Sequence, residues 1–421
     1  VWADIEPLDT VATIDEALAD EVVLYPEVGS NLVVDKRRDR NEDLFAEADV
    51  VVSAKFHNQR LAPVPLETNN ARAEFDDDGN MTLWVGTQDV FGHQPIAKII
   101  GYEDKTQVRV RMTDMGGGFG AKFYTYAEQI LTAAVAKKLG RDVQWIEPRT
   151  HNLVGMTHGR AQDEHVELGL KSDGTIIALR AELVQDTGAY PSFASYLSAW
   201  TALMASGTYV IPDIEVHWRA VVTNTVPVHA YRGAGRPEAA AMVERIMDIA
   251  AGELGMDPIE LRRKNLLQAA DFPYTSPTRA EYDTGDYDAA LDMALDMAGY
   301  EELRREQADR RERGDRIQLG IGVSTYVEIT APGDRKEWSK VEVHEDGTAT
   351  AWVGTSAHGQ GHETAFAQIV AGHLDIPHTD VKVVEGDTDV IETGWGTGGS
   401  RSLQVGGTAV NNLSLIHISE P

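Results

Sequence analysis

Cysteine is absent from all 421 residues. Without thiols the chain forms no disulfide, thiolate zinc site, cysteine nucleophile or iron–sulfur cluster of its own, so any such cluster must sit on a partner. Basic residues are scarce as well. Thirty-eight Lys and Arg stand against 67 Asp and Glu, a net charge of −29, which excludes nucleic-acid binding by general attraction. The acids are dispersed, as at Asp76-Asp77-Asp78 and Glu301-Glu302. That pattern fits a halophilic-like surface or, more simply, an acidic cytoplasmic protein. No apolar run approaches the length of a membrane span. The chain opens at Val1 rather than methionine, so position 1 is expected not to be the natural start.

What is present is glycine in two informative loops. Residues 230–238 read A-Y-R-G-A-G-R-P-E. Gly233 and Gly235 allow close approach to the backbone, Arg232 and Arg236 offer planar donor forks to oxyanions, and Pro237 with Glu238 suits a helix start. Met115 to Lys122 reads M-G-G-G-F-G-A-K, after a strand-like alternation at 107–112 and before a predicted helix over 122–139. Strand, glycine loop and helix present backbone N–H groups to an anion. The loop is neither a P-loop nor a dinucleotide fingerprint. Phe119 between glycines suits packing against a ring or a bulky metal centre. Lys122 reads equally as a phosphate contact or as a lysine at the helix start.

The chain also repeats itself. FDDDGNMTLWVGTQ at 75–88 matches HEDGTATAWVGTS at 344–356, each with an Asp-Gly hairpin turn and T-x-W-V-G-T. A helical stretch (94–100, then 362–374), an alternating strand (107–112, then 380–384) and a glycine-rich loop follow in both copies. Thr82 and Thr350 lie 268 residues apart, far beyond any solenoid period. Two related β-β-α-β-loop modules are therefore predicted, gripping a ligand from both sides. Between them the sequence predicts a hairpin over 166–184 turning at Asp173-Gly174, an amphipathic helix over 239–254 ended by Gly255, and a helix capped by Asp257-Pro258. A charged helical stretch over 288–316 is expected to bridge the modules. His358 and His362, with Glu363, carry the four-residue spacing zinc accepts on a helix. Gly359 and Gly361 oppose a helix there, and the order H-E-x-x-H is absent, so a zinc-dependent hydrolase is the weaker alternative.

With these motifs together, the chain resembles the molybdopterin-binding large subunit of the xanthine dehydrogenase/aldehyde oxidase family. The likeness is greatest to its carbon monoxide dehydrogenase-like, aerobic aldehyde-oxidising branch. The matching segments are Gly86-Thr87-Gln88, GGGFGAK at 116–122, DTGAY at 186–190, AYRGAGRPEA at 230–239, GQGHET at 359–364 and GDTD…GTGGSRS over 386–402, in family order. The resemblance implies an α+β fold in which two mixed α/β modules clasp a dinucleotide cofactor, preceded by the tail of a hammerhead-type domain. The implied division is 1–42 for that tail and linker, 43–287 and 317–410 for the first and second molybdopterin-binding domains, and 288–316 for the charged connector. The implied cofactor is molybdopterin, as the cytosine dinucleotide, with molybdenum. Iron–sulfur (2Fe-2S) and FAD groups would sit on small and medium partner subunits. Gln88, Phe119 and Arg232 would lie beside the metal's own ligands. Gly117, Gly118, Gly120, Gly233, Ala234, Gln360, Gly361, His362, Glu363, Gly398, Ser400, Arg401 and Ser402 would complete the cofactor site, with Phe123 and Ala234 at the substrate pocket. The implied reaction is oxidative hydroxylation of an aldehyde or heteroaromatic carbon by a molybdenum-bound hydroxide, electrons leaving through the iron–sulfur centres to FAD.

The pattern also departs from the family. The glutamate base expected near the family's C-terminus, in a G-E-S/G-E-P-like motif, has no counterpart here. Residues 411–421, NNLSLIHISEP, do not continue the pattern and read as a non-native tail resembling translated sequencing adapter. The chain is therefore expected to be a fragment, inactive by itself. Gly233 stands where CO dehydrogenases carry the cysteine that binds copper. Phe123 and Ala234 replace the glutamate and aromatic clamp of purine hydroxylases, which favours an aldehyde or small heterocycle over xanthine.

Overall fold

The computed structural model describes residues 3–112, 114–331, 333 and 336–419. Two compact units emerge, and the chain visits each more than once. The first gathers the chain up to Leu61 with Gly159–Val228 and Gly233–Glu328. The second gathers Ala62–His158, the short His229–Arg232 and the chain from Ile329 onward. Among the described residues no helix is long and apolar enough to cross a membrane.

The first unit is built on a five-stranded sheet in the order Leu32–Arg38, Asp213–Val221, Ile176–Asp186, Gln162–Leu170, Val50–Asn58. Only the pair Ile176–Asp186 and Asp213–Val221 is parallel. The predicted Asp173-Gly174 hairpin links Gln162–Leu170 to Ile176–Asp186. Alternation along Gln162–Leu170 turns Val166 and Leu168 into the core. There they meet Met242, Val243, Ile246, Met247 and Ala250 of the helix Arg236–Leu254, whose three- and four-residue apolar spacing makes one continuous face. Asp257 caps Pro258–Asn265 as expected. Arg262 of that helix is fully buried and ion-paired with Glu244 at 2.9 Å and Asp248 at 2.8 Å. The charged stretch over 288–316 is two helices, Tyr287–Ala298 and Tyr300–Arg313, because Gly299 at φ +65° ends the first. Both belong to the first unit.

The second unit holds two sheets that repeat one another. The first has the order Val108–Arg111, Met81–Val85, Asn70–Phe75, Val143–Ile146, and the second Ser339–Val343, Ala349–Val353, Val381–Val384. Each contains an antiparallel hairpin followed by a parallel strand. Their registers coincide, with Glu74 opposite Thr82 and Glu342 opposite Thr350. Helices fill the crossover, Val90–His93 and Ile96–Ile99 in the first copy and His362–Leu374 in the second. A second helix then covers each sheet, Ala127–Leu139 over Ala71, Ala73 and Leu83, and Gly407–Ser419, whose Val410 joins Val341, Val353 and Phe366. The expected helix over 122–139 starts late. Ala121–Phe123 forms a tight turn, Tyr124 is extended, and regular helix begins at Ala127, where Gln129 Oε1 accepts from Tyr126 N at 2.9 Å. In the second copy the glycine loop instead runs through a wide helical turn, Ser402–Gly406, straight into Gly407–Ser419. The segment expected to be foreign therefore includes helix, with Ser414 buried and Asn411 accepting from His373 at 2.7 Å.

Arg109 and Asp387 join the two copies through a charge-assisted pair of hydrogen bonds, one of them 2.8 Å from Nε. Met112 N donates to Gly386 O at 2.9 Å, and Thr388 N to Val110 O at 3.1 Å. The loop after the second parallel strand thus extends the edge of the first sheet.

Candidate functional site

The two glycine loops of the second unit meet at Gln88. This residue follows the first W-V-G-T strand and is only 2 % exposed. Its Oε1 accepts from Gly120 N and its Nε2 donates to Thr397 O, both at 2.8 Å. Its backbone closes the same contact, with Thr397 N donating to Gln88 O at 2.8 Å and Gln88 N to Lys122 O at 3.0 Å. A primary amide has two N–H donors, and the contact to Thr397 O uses one of them. Two glycines make this closure sterically possible. A Cβ on Gly118 would lie 2.6 Å from Gln88 Oε1. One on Gly120, at φ +98°, would lie 2.4 Å from Ala230 O.

Phe119 adopts φ +56° and stays 37 % exposed. A non-glycine residue in the left-handed region costs of order 1 kcal/mol or more and clusters at ligand sites. Its carbonyl accepts from Arg232 N at 3.0 Å, which brings the arginine loop onto the first glycine loop. Arg232 itself is exposed. Gly233 and Ala234 belong to the first unit. There Ala234 O accepts from Arg236 Nη1 at 3.0 Å. The fork of Arg236, offered to oxyanions on sequence grounds, grips Glu328 instead, at 2.7 Å and 3.3 Å. Phe123 is half-buried, and Gly398 lies against its ring.

In the second loop, Thr397 Oγ1 shares a hydrogen bond with Ser402 Oγ at 2.9 Å and accepts from Ser356 N at 3.2 Å. Ser356 Oγ is fully buried without a hydrogen-bond partner. Ser400 adopts φ +54° and is exposed, while Arg401 is buried and ion-paired with Glu337 at 2.9 Å. Burial lifts the Glu337 carboxyl above the usual carboxylate range, against the pull of Arg401. Gln360, Gly361 and Glu363 are exposed at the start of the helix His362–Leu374, where the first N–H groups lack intrahelical partners. His362 is buried, its Nδ1 3.1 Å from Glu385 Oε2. His358 precedes that helix, so the pair does not share a helical face, and no cluster of three metal-ligating side chains occurs among the described residues.

Lys122 answers to neither of its two readings. It is 1 % exposed, and its Nζ lies 2.8 Å from Glu67 Oε2. The same oxygen accepts from Gly116 N at 3.0 Å, and Glu67 Oε1 accepts from Asn70 Nδ2 at 2.8 Å. Burial draws the Lys122 ammonium below the usual lysine range. Burial alone would raise the Glu67 carboxyl, but Lys122, Gly116 N–H and Asn70 hold it below the usual range. Sequence reasoning missed Glu67, Glu337, Ser356, Thr397 and Glu385. Ser356 was findable, since it occupies the position of Gln88 in the second copy. The acids carry no local signal, because their partners lie dozens of residues away.

Comparison with known proteins agrees with this geometry. Residues 24–266 match one sequence model of the molybdopterin cofactor-binding domain and residues 293–415 match a second. The chain is 36 % identical to the carbon monoxide dehydrogenase large chain of Hydrogenophaga pseudoflava, over 87 % of this chain and 48 % of that protein. It is 33 % identical to the 6-hydroxypseudooxynicotine dehydrogenase complex subunit gamma of Paenarthrobacter nicotinovorans, over 99 % of this chain and 53 % of that protein. Quinoline 2-oxidoreductase from Pseudomonas putida 86 superposes with a TM-score of 0.91 at 31 % identity, covering 98 % of this chain and 54 % of that one. The chain belongs to the family of molybdopterin-binding large subunits that includes xanthine dehydrogenase and aldehyde oxidoreductase, as its motifs led us to expect. It spans about half the length of the curated relatives it matches.

Proposed function

We propose that this chain supplies the cofactor-holding part of a molybdenum hydroxylase acting on an aldehyde or a small heteroaromatic carbon. The observation that carries the reading is the convergence on Gln88. One buried amide ties Gly120 to Thr397, so the loops at 86–88, 116–122 and 396–402 form one cradle onto which Phe119 O draws Arg232. The donor set suits a molybdopterin dinucleotide. A pyrophosphate wants N–H donors and hydroxyls, which the helix start at His362 and residues Ser400 and Ser402 supply. The buried, unpartnered Ser356 Oγ is a further polar atom awaiting a partner. Gln88, Phe119 and Arg232 would flank the metal, Gly117 to Gly120, Gln360 to Glu363, Gly398, Ser400 and Ser402 would surround the pterin and nucleotide, and Phe123 would shape the substrate side. When bound, the cofactor supplies two-electron oxidation with oxygen transfer to carbon. The chain's residues orient it, exclude water around Gln88, and offer neutral amide donors that stabilise developing charge without adding a full charge.

Electrons would leave through iron–sulfur and FAD subunits, since the chain has no cysteine for a cluster. The same absence leaves no thiolate for copper, which favours organic substrates over carbon monoxide. The test is production with partner subunits and a molybdenum cofactor pathway. Molybdenum and released CMP near one per chain are expected. Zinc, or neither metal nor nucleotide, would overturn the reading. The 421-residue chain alone is expected to oxidise no aldehyde, because the family's glutamate motif has no counterpart in it; turnover by it would show that such a base is dispensable.

A further inference from the structure

The repeat extends to a feature neither copy's motif contains. In each copy an acid precedes the hairpin and reaches the basic residue that closes the glycine loop. Glu67 stands before Asn70–Phe75 and pairs with Lys122 at 2.8 Å. Glu337 stands before Ser339–Val343 and pairs with Arg401 at 2.9 Å. Both basic side chains are buried, Lys122 at 1 % and Arg401 at 5 % exposure. Each clamp also bears on the matched glycine of W-V-G-T. A Cβ on Gly86 would lie 3.2 Å from Asn70 Nδ2, the amide that holds Glu67. One on Gly354 would lie 2.5 Å from Glu337 Oε1. The first clamp grips both ends of its loop, since Glu67 Oε2 accepts from Gly116 N and Lys122 Nζ, and Glu67 N donates to Gly116 O at 3.1 Å. Arg401 reaches back toward Gly396 O at 3.4 Å, the opposite end of its own loop.

We infer that Glu67–Lys122 and Glu337–Arg401 are duplicated positioning pairs that hold the two glycine loops in ligand-ready shape. A buried ion pair contributes little net stability, yet losing one member leaves an uncompensated charge. Its value here is geometric, fixing loops whose glycines supply little packing of their own. Lys122 and Arg401 are thereby withdrawn from direct contact with an anionic ligand, and backbone N–H groups of the loops take that role. The cofactor half of this inference rests on the proposed function; the loop half does not.

The test replaces each pair by neutral residues, Glu67→Gln with Lys122→Met, and Glu337→Gln with Arg401→Met, so that no buried ion is orphaned. Hydrogen exchange is followed in the cofactor-free chain at 116–122 and at 396–402. Each neutral pair is expected to speed exchange at least about tenfold at its own loop while leaving the other within about twofold. Lys122→Arg and Arg401→Lys, which keep the charge, should retain most of the protection. Parental exchange at the loop in either neutral pair would overturn the inference, as would loosening spread evenly over both sheets. Molybdenum content of chain made with the cofactor pathway should fall with loop protection. A parent with protected loops and no molybdenum would sink the proposed function and leave the clamps standing.

Discussion

The two copies of the repeat in the second unit share register, hairpin turn and clamp, yet they finish their glycine loops differently. In the first, Lys122 turns inward to Glu67, the backbone stretches through Tyr124, and the helix Ala127–Leu139 starts only afterwards. In the second, the loop continues through Ser402–Gly406 into Gly407–Ser419 without a break. The first sheet gains a fourth strand, Val143–Ile146, beside its hairpin, while the second has three strands among the described residues. One hairpin pattern thus tolerates two ways of covering a sheet. What both copies keep is the placement of a loop amide or hydroxyl at one register position, Gln88 in one and Ser356 in the other.

The strongest way to break this comparison is to fill a close approach. Gly120→Val would place a Cβ 2.4 Å from Ala230 O at φ +98°, and Gly396→Val one 2.1 Å from Gln88 O at φ +62°. Each is expected to destabilise by roughly 3–5 kcal/mol, and urea titration of the variants measures it. Equal losses would show that the loops carry similar weight. A mild effect in one alone would show that its copy yields.

Gln88→Leu is the next largest. It leaves Gly120 N and Thr397 O without their side-chain partner and should cost about 2–4 kcal/mol, from two lost buried hydrogen bonds, with loss of bound molybdenum. A thermal-melt change under about 1 °C would refute the bridging role.

Acid sharpens the contrast between copies. His93 in the first is fully buried between Thr87 and Gln129, and burial draws its pKa below the usual histidine value; His358 in the second shifts the same way for the same reason. A folded pKa below the unfolded value means the unfolded chain takes up the proton first as pH falls. Stability is then present above about pH 6.5 and declines toward the folded pKa, by up to about 1.4 kcal/mol per pH unit for each group. His93→Gln is expected to flatten this decline more than His358→Gln, because His93 is fully buried and His358 only half-buried. Equal slopes would remove the distinction.

The smallest effect is Ser356→Ala. Its Oγ lacks a partner, so unfolding stability should change by less than about 0.5 kcal/mol while molybdenum or nucleotide content falls. Unchanged content would show that this hydroxyl faces no ligand.

Much of the second unit was legible. Asp-Gly turns and T-x-W-V-G-T mark both hairpins because turn chemistry and alternation are local, and the helix His362–Leu374 has the predicted bounds. The helix start after the first loop was not legible. Lys122 is an ordinary helix former in sequence, and only a carboxylate 55 residues away diverts it. Arg236 misled for the same reason, its partner Glu328 lying 92 residues on.

The sequence by itself determined the repeat, the positions of the glycine loops and the absence of thiol chemistry, because each depends on residue type and short-range spacing. Tertiary structure alone decided which charges stay exposed and which are consumed inside. That choice depends on burial and on partners distant in sequence, and removing a charge from water is costly enough that one well-placed carboxylate overrules local preference.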